Sequence, residues 1–155
     1  MPPALAFSFD RDGRTEKEMA DIRRRSGDRV HFLHRRMFEN YLLDPEAIDA
    51  VLSQETGAEL GTFVGVVRDW FTRCADKFLP AEVRGTKADS TTWFREVNGY
   101  GLLDRVFPEA SDNKVFFDKV RHGLMLTEWL IERKPEFLAE LRNYLEQILG
   151  GDQPA

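Results

Sequence analysis

The sequence predicts an α/β domain that is mostly helical, with one parallel strand–helix–strand unit near its amino terminus. Residues 4–9 form a short apolar run that stops at an acidic turn, residues 15–25 have helical spacing, and residues 29–33 form a second apolar run. A crossover helix between two strands favours parallel pairing. Beyond residue 45, apolar residues recur every three or four positions, which predicts a helical, bundle-like region.

The size and composition of the chain favour one domain. Its 155 residues suit a single core, with residues 1–45 as the βαβ portion, residues 46–150 packed on it and residues 151–155 as a frayed tail. No apolar run approaches the length that spans a membrane, no secretory signal is recognised, and the single Cys74 suits a reducing compartment. We therefore expect a cytoplasmic protein with no membrane partner.

The charge balance bears on the class of partner. The chain has 27 acidic and 22 basic residues and a net charge of -5, which argues against a protein that binds nucleic acid through an overall basic surface. Arginines occur in two local runs, at residues 23–25 and 35–36. The first run falls at the end of a predicted helix, where positive charge complements the helix dipole, and this favours a solvated helix end over a phosphate contact.

Several helix boundaries can be predicted from local signals. Thr15 and Glu18 have the spacing of a capping box, and Asp44 before Pro45 has the pattern of a helix start. The spacing of apolar residues predicts helices over residues 60–78, 91–107, 114–133 and 135–149, with a break at residues 98–101 and a turn at residues 108–113. Leu60 is among the residues predicted to face the core.

Asp10 and Asp12 are the first candidate site residues. Residues two apart in an extended strand project to the same side, so both carboxylates can face one point if the strand geometry continues into the turn. Two adjacent carboxylates favour a hard cation such as Mg²⁺. The alternative is an ordinary turn leading into a capped helix, with no function attached.

A second segment resembles a known family. The residues RRMFENYLLDPEAI at positions 35–48 closely resemble the segment that follows the Asp-x-Asp strand in Toprim nuclease domains of OLD-like (overcoming lysogenisation defect) ATPases. Asp10, Asp12, Glu39, Asn40 and Tyr41 stand at the matching positions. The residues FDKVRHG at positions 117–123 look like a lysine-containing segment found late in the same domains. The fold that this implies is a partial Toprim-like βαβ unit followed by a helical region.

The resemblance implies divalent-metal-dependent cleavage of DNA phosphodiesters. Asp10 and Asp12 would hold Mg²⁺ or Mn²⁺, Glu39 would be a further ligand or would orient the ligands, and Lys119 would stabilise charge on the phosphate. The family has a further essential glutamate on a strand before the Asp-x-Asp strand, and Asp10 is already the tenth residue here. The expectation is therefore the distal portion of a longer ATPase-nuclease protein. Many members of the family that it resembles serve in phage defence, a role that these residues do not by themselves establish.

Other interpretations of the same residues stay open. The chain is an endonuclease only if its missing amino-terminal part, or a partner chain, completes the site. The alternatives are a catalytically incomplete module that binds nucleic acid or protein, and a truncated reading frame. The expected partners are DNA and the missing ATPase and Toprim portion, and a homo-oligomer is also left open.

Overall fold

The structure, a computed structural model, describes residues 7–27, 29–74 and 76–150. It confirms a mostly helical α/β fold. The strands are β1 (Phe7–Phe9) and β2 (Val30–Phe32). The α-helices are α1 (Glu16–Ser26), α2 (Pro45–Thr56), α3 (Val64–Arg73), α4 (Thr91–Glu96), α5 (Gly99–Ala110), α6 (Arg121–Arg133) and α7 (Ala139–Leu149). Short 3₁₀ turns are found at Phe38–Tyr41, Ala81–Val83 and Pro135–Leu138.

The amino-terminal unit is a parallel βαβ crossover, as predicted. β1 pairs with β2 in parallel, with Phe9 opposite Phe32. The capping box at the start of α1 is complete: the Thr15 hydroxyl accepts the Glu18 N–H at 3.2 Å, and the Glu18 carboxylate accepts the Thr15 N–H at 2.7 Å. α1 ends at Gly27, whose φ of 64° lies in the left-handed region that favours glycine. Residues 4–6 of the predicted first strand lie outside the described residues.

The prediction of one helix over residues 60–78 is wrong at both ends, because α3 covers only Val64–Arg73. α3 begins only at Val64, because the carboxylate of Asp49 accepts the N–H groups of Gly61 at 2.7 Å and Phe63 at 2.6 Å and holds the preceding residues in a turn. Leu60 lies in this turn and is 73% exposed, so it does not face the core. A carboxylate from α2 therefore overrides the local helical spacing.

The helix predicted over residues 114–133 also begins late. α6 starts at Arg121, and the residues before it form a loop between two local hydrogen bonds. The Ser111 hydroxyl accepts the Val115 N–H at 3.0 Å, and the His122 ring nitrogen Nδ1 accepts the Asp118 N–H at 2.8 Å. The turn predicted at residues 108–113 is partly helix instead, because α5 runs through Pro108 to Ala110.

One hydrophobic core connects the βαβ portion to the helical region. Its fully buried members come from the segment after β2 and from α2, α3, α4, α5 and α6, and they include Leu42, Ile48, Val67, Trp93, Leu103 and Leu130. Among the described residues, none of the helices is both long and apolar enough to cross a bilayer. The predicted frayed tail, residues 151–155, lies outside the described residues.

Candidate functional site

The carboxyl end of β1 is tied to the segment that follows β2. Asp10 comes directly after the strand, and its Oδ1 accepts a hydrogen bond of 3.1 Å from the backbone N–H of Phe38. The Arg14 guanidinium donates to the backbone carbonyl of Asp10 at 2.7 Å. Parallel strands bring their carboxyl ends to one edge of the sheet, so Asp10 meets the residues after β2 there.

Asp12 lies in the turn rather than in the strand. Its φ is 46°, in the left-handed region, so the alternation of a strand does not extend from Asp10 to Asp12. Its backbone N–H donates to the carbonyl oxygen of Arg36 at 2.8 Å, and its side chain is exposed. Asp12 is therefore held beside the same segment as Asp10, but by a turn and not by the strand geometry that the sequence analysis assumed.

The next residues to consider form the 3₁₀ turn Phe38–Tyr41, and Asn40 is its structural centre. Asn40 is fully buried, and its amide donates to the carbonyl oxygens of Phe94 and Val97, each at 2.8 Å. Its Oδ1 accepts the N–H of Gly99 at 3.0 Å. Asn40 thus clamps the turn to the junction between α4 and α5.

Tyr41 is a second structural residue of this turn. It is fully buried, its hydroxyl accepts the backbone N–H of Arg35 at 3.2 Å, and the Arg35 guanidinium lies 4.6 Å from its ring centroid. Burial raises the pKa of Tyr41 to about 12, although the hydrogen bond from Arg35 opposes the shift. A phenol that stays neutral at physiological pH, with its oxygen already bonded, is suited to packing rather than to proton transfer.

Glu39 is a buried carboxylate that meets Lys119. Glu39 is 2% exposed, and the Lys119 Nζ lies 3.2 Å from its Oε1 in an ion pair. In the described part of the chain, neither oxygen of Glu39 accepts a directed hydrogen bond. The ion pair with Glu39, and more weakly the charge of Asp10, raises the pKa of Lys119. Burying a carboxylate costs free energy unless a cation lies beside it. For Glu39 this cation is the ammonium group of Lys119, whose side chain is 60% exposed.

Tyr100 is a residue of this site that the sequence analysis did not single out. The Lys119 Nζ lies 5.7 Å from the centroid of its ring, and the backbone N–H of Tyr100 donates to the Met37 sulfur at 3.3 Å. The Asn-Gly-Tyr-Gly segment predicted only a bend. The only signal in the sequence was an aromatic residue between two glycines.

Basic groups stand beside the aspartate turn. Arg11 pairs with Glu96 at 3.0 Å, and Arg36 donates its backbone N–H to Arg95 at 2.8 Å. Burial opposes the ionisation of Glu96, but the hydrogen bonds and charges of Arg11 and Arg95 outweigh it and lower the pKa of Glu96. Within the described residues, the Nε atoms of Arg11 and Arg36 are buried without a hydrogen-bond partner. Because Arg11 and Arg95 both pair with Glu96, Arg36 is the basic side chain of this flank that has no salt bridge among the described residues.

The site therefore combines carboxylate oxygens with basic side chains. Across residues 7–27, 29–74 and 76–150, no group of three or more His, Cys, Asp or Glu side chains is arranged to hold a metal ion. No family model, curated protein or solved structure matches the chain. The chemistry of the site therefore has to be argued from its own residues.

Proposed function

We propose that this chain is the distal portion of a divalent-metal-dependent, Toprim-type DNA endonuclease that hydrolyses phosphodiester bonds, within a longer ATPase-nuclease protein. The observation that supports the proposal is the convergence of Asp10, Glu39 and Lys119. The family resemblance nominates these residues from separate parts of the sequence, and four α-helices intervene between Glu39 and Lys119. Yet Lys119 forms an ion pair with Glu39, and the charge of Asp10 contributes to raising the pKa of Lys119.

The carboxylates of the site are of the chemical type that binds Mg²⁺ or Mn²⁺, although among the described residues three of them are not gathered around one point. Asp10, Asp12 and Glu39 would be the ligands, because hard divalent cations prefer oxygen donors. The Glu39 carboxylate is buried and has acceptor capacity that the described chain leaves unused, which favours a cation at this point. Such an ion, when bound, supplies charge neutralisation and an activated water at a phosphodiester.

The chain's own residues have distinct roles in this proposal. The N–H of Phe38 holds the Asp10 carboxylate, and the buried Asn40 fixes the backbone next to Glu39. The exposed Lys119 stabilises negative charge on phosphate oxygens, because an ammonium near a reacting phosphate lowers the energy of its charged transition state.

A catalytically incomplete module that binds nucleic acid or protein is the second candidate. The observation that favours it is the same ion pair, because Lys119 already neutralises the buried Glu39 carboxylate without a metal. In that case Lys119 stays on Glu39, and removal of divalent ions leaves nucleic-acid binding unchanged. The two candidates therefore differ in their response to chelation.

Calorimetry with Mg²⁺ and with Mn²⁺ tests the proposal. The purified chain is compared with the double variant Asp10→Ala, Asp12→Ala, and plasmid cleavage is followed in the same buffers. Asp112→Ala is the matched control, because Asp112 also occupies a left-handed turn, with a φ of 55°, but lies outside the site. We expect the wild-type chain and the control to bind metal and the double variant to lose binding.

Two results would separate the candidates. Metal binding that depends on the two aspartates supports a metal site at this edge, and plasmid cleavage that depends on the same two residues supports the nuclease assignment. If the wild-type chain binds neither ion and DNA binding persists in a chelator, the second candidate replaces the first.

A further inference from the structure

A second polar concavity lies beside β2. It is a cleft of about 320 Å³ between the end of α1 and α7. Its residues, which define what we call the β2 cleft, are Arg23, His31, Phe32, His34, Tyr144, Gln147 and Ile148. None of the four candidate nuclease residues lines it.

The charge of the β2 cleft differs from that of the chain as a whole. Its lining contains no carboxylate, although acidic residues outnumber basic ones in the sequence. A groove of about 640 Å³ elsewhere contains Arg68 and Lys87 but also Asp44 and Asp89. In the β2 cleft, by contrast, every polar side chain can donate a hydrogen bond. Such a lining favours an anion.

Arg23 is available to a ligand in this cleft. Its guanidinium carbon lies 5.5 Å from the centroid of the Phe32 ring, which supports the group from one side. Within the described residues, no carboxylate lies within 4.0 Å of the Arg23 side-chain nitrogens, whereas the neighbouring Arg24 pairs with Asp21 at 2.5 Å. Among the described residues, no ion pair therefore competes for the N–H groups of Arg23.

Tyr144 makes the opposite wall rigid. Its hydroxyl and the Ser8 hydroxyl share a hydrogen bond of 2.9 Å, and the His34 ring packs edge-on against its ring at 5.3 Å. Burial raises the pKa of Tyr144, while the hydrogen bond with Ser8 and the charge of Arg23 oppose the rise. The charge of Arg23 therefore acts on Tyr144, which is held in place by Ser8 and His34 on the other side of the cleft.

We propose that the β2 cleft binds a phosphate group, with Arg23 as its main ligand and His31 and His34 as further donors. A guanidinium presents its N–H groups in a fork that matches two phosphate oxygens. The volume admits a phosphate together with part of the nucleotide that carries it. A mononucleotide and the backbone of a nucleic-acid strand share this chemistry. The site goes beyond the proposed nuclease centre, and it requires no metal.

NMR of the histidine ring resonances in the presence of EDTA tests the proposal. The full chain is titrated separately with inorganic phosphate, thymidine 5′-monophosphate and single-stranded oligothymidylate. We expect saturable shifts at His31 and His34, while the buried His122, which does not line the cleft, stays unchanged. Arg23→Gln is expected to weaken binding about tenfold, because a charge-assisted hydrogen bond is lost. Arg24→Gln is the matched control on the same helix, and we expect a change below about twofold.

The three titrations identify the source of the phosphate. Binding of phosphate and the mononucleotide supports a nucleotide ligand, and binding of the oligonucleotide alone supports a strand backbone. The proposal is overturned if none of the probes gives a saturable shift, or if Arg24→Gln weakens binding as much as Arg23→Gln. Thermal unfolding of both variants checks that they fold, which the exposure of both side chains leads us to expect. Because EDTA removes divalent ions, failure here is separate from failure of the nuclease proposal.

Discussion

Replacing Asn40 with alanine should destabilise the protein strongly, because this side chain holds the candidate site to the helical region. Asn40 is fully buried. Its amide donates to the carbonyl oxygens of Phe94 and Val97, and its Oδ1 accepts the N–H of Gly99. Alanine removes these three hydrogen bonds at once, together with a longer one from the Asn40 amide to the carbonyl oxygen of Arg95 at 3.4 Å. It also leaves the carbonyl oxygens of Phe94 and Val97 and the N–H of Gly99 without their hydrogen-bond partner, at a position with little access to water.

The expected loss follows from these three contacts. A typical hydrogen bond contributes about 1 kcal/mol, and a buried group left without its partner costs about 1 to 3 kcal/mol. For three bonds we expect the free energy of unfolding to fall by about 3 to 5 kcal/mol. Domains are usually stable by about 5 to 15 kcal/mol, so this is a large share. At about 2 to 4 °C per kcal/mol for a chain of this size, Tm should fall by roughly 10 °C.

Urea unfolding followed by tryptophan fluorescence measures this change. Asn98→Ala is the matched control, because Asn98 caps α5 with a single hydrogen bond of 2.9 Å from the Gly101 N–H. Loss of a helix cap costs about 1 kcal/mol. If Asn40→Ala loses no more stability than Asn98→Ala, the clamp does not hold the junction and the reasoning is refuted.

Three further predictions concern the same region and its surroundings. Gly99→Ala should lower the free energy of unfolding by about 2 kcal/mol or more, because the added Cβ would lie 2.3 Å from the side-chain oxygen of Asn40. Gly123→Ala is the control: nothing lies within 4 Å of its Cβ, and the free energy of unfolding should rise by up to about 1 kcal/mol. Equal effects of the two substitutions in urea unfolding would contradict the predicted clash. Lys119→Met should lower the free energy of unfolding by about 1 kcal/mol, because it leaves the buried Glu39 carboxylate without its cation. Lys114→Met, on the same loop and also exposed, should leave the free energy of unfolding unchanged. If both variants are as stable as the wild type, Lys119 does not stabilise Glu39. Burial lowers the pKa of His122, so near and below pH 6.5 the unfolded chain binds more protons than the folded chain, and stability should fall as the pH drops. In urea unfolding from pH 7 to pH 5, His122→Asn should make stability depend less on pH. The same pH dependence in the variant and the wild type would contradict this role of His122.

Local signals in the sequence predicted the parts of the fold that depend on local hydrogen bonds. The capping box of Thr15 and Glu18 and the start of α2 at Pro45 are as expected, because in each case the cap and its partner lie within one helical turn. The parallel pairing of β1 with β2 was also predictable, since the crossover helix allows few other arrangements.

The starts of α3 and α6 could not be predicted in the same way. Residues just before Val64 have helical spacing, but Asp49 on the preceding helix binds their N–H groups. Before Arg121, Val115 and Phe117 pack into the core from a loop, whereas Phe116 and Val120 are exposed, so the apolar spacing here does not mark one face of a helix. Lys119 is in this loop. Only the fold decides that it meets Glu39.

The candidate site was predicted in part. The resemblance nominated Asp10, Glu39 and Lys119, which meet at one edge, and also Asp12, which sits in a left-handed turn rather than a strand. Their roles in metal binding and cleavage stay predictions. Tyr100 was missed, because its position depends on how α5 packs against the turn after β2.

The geometry of the site depends on the helices more than on the sheet. In the described residues the sheet has two strands of three residues each, and a sheet of this size has little stability of its own. The ties to the helical region are stronger: Ser8 shares a hydrogen bond with Tyr144, Arg35 pairs with Glu140 at 2.8 Å, and Asn40 binds the α4–α5 junction. The helical region therefore holds the carboxyl edge of the sheet in place. It follows that substitutions at the start of α5, far from Asp10 in sequence, should alter metal binding at this edge as much as substitutions in β1 itself.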